Sequence, residues 1–110
     1  MRNTLEKVRK AWHWERTWGW DYPMAAMTAV RLGQPEAAIE LLLMDAPKNT
    51  FLNNGHNYQT PHLPLYLPGN GGLLTAVAMM CAGYDGDDGV HNPGFPEGWT
   101  VAWENLKKVL

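Results

Sequence analysis

The sequence predicts a mainly α fold. Apolar residues recur at helical spacing in four stretches, and Gly or Pro separates each stretch from the next. Only one short segment, near the C-terminus, alternates in the manner of a strand.

The first stretch opens with Asn3 and Glu6 at capping-box spacing, followed by Leu5, Val8 and Trp12 on one stripe. This predicts a helix from about Thr4 to Arg16 that stops near Gly19, with Trp12 in the core. Pro23 suits the first turn of a second helix over about 22–32, because a proline there loses no hydrogen bond. Met24, Met27, Val30 and alanines at 25, 26 and 29 let another helix come close, and Gly33 ends the helix. Gln34-Pro35-Glu36 starts a third helix at once, over about 35–44. So short a link forces the pair into an antiparallel hairpin.

From Asp45 to Gly71 no periodicity is visible, and prolines stand at 47, 61, 64 and 68. Aperiodic stretches this long are uncommon in small domains unless they serve a function. A fourth helix is expected over about Gly72 to Ala82, ended by Gly83. "YDGDDGVHNPGFPEG" is turn chemistry, and Trp99, Val101 and Trp103 alternate with Thr100, Ala102 and Glu104 as in a strand over 99–104. Residues 1–83 thus form a helical region and 84–110 a turn-rich segment with a C-terminal strand.

Composition excludes several function classes. A chain of 110 residues supports one domain, and 45% hydrophobic with 18% charged residues marks it as globular. A formal net charge of −2, with no basic run beyond two residues, argues against nucleic acid or an anionic membrane surface as partner. "MRNTLEKVRKAW" has charges where a signal peptide needs an apolar core, and "GGLLTAVAMMCAG" is too short to span a bilayer. Cys81 is the single cysteine and reads as a packed, inert thiol. The chain has no serine nucleophile. His56, His62 and Asp45 lack metal-ligand spacing, so no metal or other cofactor is expected. "DGDDG" at 85–89 places Pro96 where a calcium loop needs Glu. "GNGG" at 69–72 lacks the Lys-Ser/Thr pair of a phosphate loop, and its glycines read as a tight turn into the fourth helix.

Trp12, Trp14, Trp18 and Trp20 gather four of the six tryptophans around "ERTWGWDYP". Indole faces beside carboxylates suit a sugar, the ring against its C–H face and the acids on its hydroxyls. Glu15 and Asp21 form a candidate acid/base pair, since glycosidases hold two carboxyls roughly 5 to 9.5 Å apart. Asp21 equally fits an N-cap accepting from the amides ahead of it. Trp18, Trp20, His56, Asn57, Gln59 and Asn70 complete the candidate substrate-binding set. Amides and imidazole both donate and accept, as hydroxyl recognition requires.

The order of "WGWDYPMAAMTAVRLGQPEAAIELLL", "NNGHNYQ", "LPLYLPGNGGLLTAVAMMCAGYDG" and "WTVAWENL" resembles the C-terminal end of a six-hairpin, (α/α)6-toroid glycosidase, similar to glycoside hydrolase families 65 and 95. In such enzymes a helix near the toroid's end carries small residues and an R-L-G turn, a G-N-x-G motif opens the final inner helix, and a β-region closes the toroid. The resemblance covers nearly the whole chain, which corresponds to about the last third of a toroid. Family 95 enzymes have I-D-G-N-F-G, with an aspartate that positions water, where this chain has Pro68. The general acid of these families lies on an earlier hairpin outside this sequence. The resemblance therefore implies a carbohydrate-contacting wall without complete catalytic machinery. "RLGQPEAAIELL" is also similar to a tetratricopeptide turn, although no second copy recurs at a spacing of about 34 residues, so a helical interaction module is the other class. A toroid fragment keeps flanks that neighbouring hairpins once covered. Trp12, Met24, Met27, Leu41 and Leu42 are accordingly expected to form an exposed apolar patch that drives homo-oligomers.

Overall fold

The structure is a computed structural model that describes all 110 residues. It has four helices, α1 (Arg2–Ala11), α2 (Asp21–Arg31), α3 (Pro35–Leu42) and α4 (Leu67–Ala82), and a two-stranded antiparallel sheet, β1 (Thr50–Phe51) with β2 (Asn57–Tyr58). The fold is mainly α, as its periodicity predicts.

The α2–α3 hairpin forms where expected. Gly33 adopts φ 69°, a conformation that an L side chain resists, and Pro35 begins α3 two residues later. The small side chains of Ala25, Ala26, Ala29, Ala37 and Ala38 are buried between the helices, with Leu41 and Val30 filling the remaining volume. Helix α4 lies across α2 and adds Met79 and Met80 to this cluster, and Leu5 is the one buried residue of α1. Cys81 is buried, which pushes its thiol pKa up and keeps it inert.

Several expectations change. Helix α1 runs from Arg2 to Ala11, so Asn3 lies inside it and no capping box forms. Trp12 is already extended at ψ 141° and 39% exposed, whereas Trp14 folds back onto the core and donates from Nε1 to Arg9 O at 3.2 Å. The 45–71 stretch contains a 3-10 turn (Pro47–Asn49) and the β-hairpin, and its last residues belong to α4. "GNGG" is therefore helical rather than a turn. Its glycines serve close approach: a Cβ on Gly69 would meet Asn57, and one on Gly72 would meet Pro23 of α2.

Residues 99–104 form no strand, because a two-residue-period segment without a partner has nothing to pair with. Their alternation reflects aromatic docking instead. Trp99 leans on Phe95 at 5.6 Å, while Trp103 stacks on His91 at 6.3 Å and donates from Nε1 to Asn92 Oδ1 at 2.7 Å. The expected patch is also smaller. Leu41 is fully buried and Met27 and Leu42 are half-buried, which leaves Trp12 and Met24 exposed beside Met1.

The 84–110 segment closes back on the helices. Gly94 N–H caps Met80 O at the end of α4 at 3.0 Å, and Tyr84, Phe95 and Val109 pack against the core. Asp87, its side chain 2% exposed, accepts from Lys108 Nζ at 2.6 Å and from the Tyr84 and Gly89 amides at 3.0 Å. The Lys108 bond, then the Tyr84 amide, hold its carboxyl below the ordinary carboxylate range. A carboxyl lowered on folding stabilises above its unfolded pKa of about 3.9, and that contribution is lost as pH falls through the lower folded value. Thermal melts from pH 7 down to pH 2 should therefore show a tail-linked loss of stability below about pH 4. Asp87→Asn should be destabilised at pH 7 and show a shallower acid slope; an unchanged slope would refute the assignment.

Candidate functional site

The tryptophan-rich link and the β-hairpin meet at one buried point. The chain leaves α1, turns through residues 14–17, and enters α2 by way of Trp18, Gly19 and Trp20. Trp18 N–H donates to Asp21 Oδ2 at 2.9 Å, and Asp21 N–H donates back to Trp18 O at 3.0 Å. The carboxylate thus closes the turn behind it and does not accept from the amides ahead, as an N-cap would. Gly19 N–H donates to Gln59 Oε1 at 2.8 Å, in the interior.

Asn57 and Gln59 are 0% and 5% exposed, and their amides are consumed by the fold. Gln59 Nε2 shares its protons among Tyr58 O, Lys48 O and Asn57 Oδ1 at 2.9 to 3.1 Å. Asn57 Nδ2 donates to Lys48 O and Thr50 O, both at 3.2 Å. Asn70 Oδ1 accepts from Asn57 N–H at 3.1 Å, and Asn70 Nδ2 donates to Gly55 O at 2.8 Å. No buried side-chain nitrogen or oxygen lacks a partner. These three amides are hydrogen-bonded within the protein, a structural use that competes with the hydroxyl recognition expected of them.

Outside this network the surface is aromatic. Trp18 and Trp20 are 44% and 50% exposed, on either side of the buried Gly19. Tyr66 sits 5.7 Å from the Trp18 ring, and Lys48 Nζ lies 4.0 Å from the centroid of that ring, a cation–π contact. Burial first, and then the negative charge of Asp21, raise the Tyr66 phenol pKa, so Asp21 acts on the same patch. Trp20, half exposed, makes no ring–ring or cation–π contact. Sequence reading missed Lys48 and Tyr66, which come from separate segments and carry no local motif.

Glu15 is exposed and pairs with His13 Nδ1 at 3.3 Å, and no bond links it to Asp21. His56 is half-buried in the hairpin, and its imidazole makes no hydrogen bond. No cluster of three or more His, Cys, Asp or Glu side chains converges as a metal site would require. A cavity of about 610 Å³ lies elsewhere, between the α2–α3 turn and the 84–97 segment, with Arg31, Tyr84, Asp88 and Phe95 in its walls. No helix is long and apolar enough to cross a membrane. No protein-family model, curated protein or solved structure matches the chain.

The amide core makes opposed predictions for two helical glycines. Gly→Ala within a helix normally gains about 1 kcal/mol. Gly71→Ala, with nothing within 4 Å of the new Cβ, should show that gain. Gly69→Ala would drive its Cβ into Asn57 Oδ1 and should destabilise instead. Asn57→Ala should cost about 2–4 kcal/mol by orphaning several buried groups. Urea denaturation of the three variants checks this, and equal responses of the two glycines would contradict it.

Proposed function

We propose that the chain contributes a carbohydrate-contacting wall, as part of a glycoside-hydrolase-like helical toroid, and does not hydrolyse glycosides by itself. One observation carries the reading: two half-exposed indoles, Trp18 and Trp20, stand on a turn fixed from inside by the Gly19–Gln59 bond. A rigid exposed indole binds a pyranose face at low entropic cost, because it is already ordered before the ligand arrives. Trp20 is the open platform, Trp18 is propped by Lys48 and Tyr66, and Asp21 supplies an acceptor for hydroxyls beside them. Glu15 pairs with His13 and Asp21 Oδ2 accepts from the Trp18 amide, and these engagements favour contact over acid/base chemistry. The order of motifs described above supports the same lineage.

A helical protein-interaction module without enzymatic activity is the second reading, favoured by an exposed, uncharged face of α4.

Tryptophan fluorescence across a panel of mono- and oligosaccharides tests the first reading. A saturable shift at millimolar sugar is expected, about ten-fold weaker in Trp20→Ala, consistent with one stacked ring. Absence of any shift, or a shift indifferent to Trp20→Ala, would eliminate this platform.

A further inference from the structure

The cavity beside the α2–α3 turn lies apart from the tryptophan link and holds charges of both signs. Its volume of about 610 Å³ falls within the range of small-molecule sites, roughly 300 to 1,000 Å³. Val30, Leu32 and Phe95 supply apolar walls, and Tyr84 adds an aromatic one. Both sides are fixed by the backbone. Gly33, at φ 69°, sets the turn on one side. On the other, Gly94 N–H donates to Met80 O at 3.0 Å and Phe95 N–H donates to Asn92 O at 3.1 Å.

Five charged side chains line this cavity, Arg2 and Arg31 against Glu36, Asp88 and Glu97. None of the five forms an ion pair, with each other or elsewhere, since the ion pairs of the chain are Arg9–Glu40, His13–Glu15 and Lys108–Asp87. Glu36 and Arg31 suit the helix ends they occupy. Arg2 does not, because a cation in the first turn of α1 opposes the helix dipole. Asp88 stands next to Asp87, yet only Asp87 receives Lys108. Arg31 is held in place, since its Nη2 donates to Leu110 O at 2.6 Å and its guanidinium lies 4.8 Å from the centroid of the Tyr84 ring. A guanidinium has further N–H donors beyond the one used there.

We propose that this cavity binds a small zwitterion of the amino-acid or short-peptide class. Its carboxylate pairs with Arg2 and Arg31, its ammonium with Asp88 and Glu97, and its apolar side chain lies against Phe95 and Leu32. Charge makes the selection. A simple anion meets three carboxylates, a simple cation meets two guanidiniums, and a neutral sugar leaves all five groups unpaired. A ligand with both charges engages both sets at once through charge-assisted hydrogen bonds, which are the strong ones. Walls that are already ordered lower the entropic cost of binding. The proposal is independent of the sugar platform, which lies on the α1–α2 link.

Amide NMR spectra of the full chain, titrated with L-phenylalanine and with the dipeptide glycyl-phenylalanine, test this. Saturable shifts at millimolar ligand are expected at Gly33, Tyr84 and Phe95, and none at Trp20. N-acetyl-phenylalanine, which lacks the cation, and phenylalanine amide, which lacks the anion, should each bind at least about ten-fold more weakly. Whichever of the two zwitterions binds more tightly identifies the source, and either order upholds the site. Arg2→Gln and Asp88→Asn change exposed, unpaired side chains. Each should weaken binding at least about ten-fold with the thermal melt unchanged, whereas Trp20→Ala should have no effect. Absence of saturable shifts, equal binding of the blocked probes, or binding unchanged in either Arg2→Gln or Asp88→Asn would overturn the proposal. Sugar binding should persist in both variants, so the two sites fail separately.

Discussion

The structure depends on two buried amides. Asn57 and Gln59, from an otherwise short hairpin, reach the carbonyls of Lys48 and Thr50, the amide of Gly19 and, through Asn57 N–H, the side chain of Asn70. These two residues thus join the α1–α2 link, the 3-10 turn, the sheet and α4. Buried amides are costly unless every donor and acceptor is used, and here all of them are. The same demand explains two glycines. Gly19 and Gly69 flank Asn57 so closely that a Cβ on either would clash with its Oδ1. A hairpin of two-residue strands is not stable alone. This one persists because Asn57 and Gln59, through side chains and the Asn57 N–H, are bonded to three neighbouring segments.

That constraint also shapes the surface. Because Gly19 is held inside by Gln59, Trp18 and Trp20 on either side of it stay at the surface, and Asp21 is drawn back to close the turn. The amides expected to recognise hydroxyls are hydrogen-bonded into the framework on which the indoles stand. The functional candidates therefore divide by layer. Polar groups order the loop from within, and aromatic groups, with Lys48 beside Trp18, meet solvent.

The hydrophobic core is small for the length of the chain. It is built from alanines at the α2–α3 contact and methionines from α4, with Leu5 as the anchor of α1. Close helix contact through alanines gives good packing but buries little area per residue. The C-terminal segment adds Phe95 and Val109, and the Asp87–Lys108 pair ties it down. The open face of α4 is the apolar surface that this arrangement leaves uncovered.

Local chemistry by itself determined the mainly α class and the α2–α3 hairpin. Gly33 and Pro35 specify φ within one turn, and alanine spacing defines the contact face, so no distant residue is needed. The inert, buried Cys81 and the turn at 85–89 were legible for the same reason. The tertiary structure alone decided which polar residues go inside. Gln59 is buried because its partner Gly19 lies forty residues away, and nothing in "NYQ" records that distance. It also decided that Trp14, not Trp12, faces the core, since α1 ends at Ala11, one residue before the last member of its apolar stripe. "GNGG" reads locally as a turn, yet it lies within α4, and Gly69 and Gly72 stand where Asn57 and Pro23 leave no room for a Cβ. The alternation at 99–104 had a strand's period but no partner strand. Periodicity reports which faces differ along a segment, whereas burial, pairing and the use of an amide depend on what the rest of the chain places opposite.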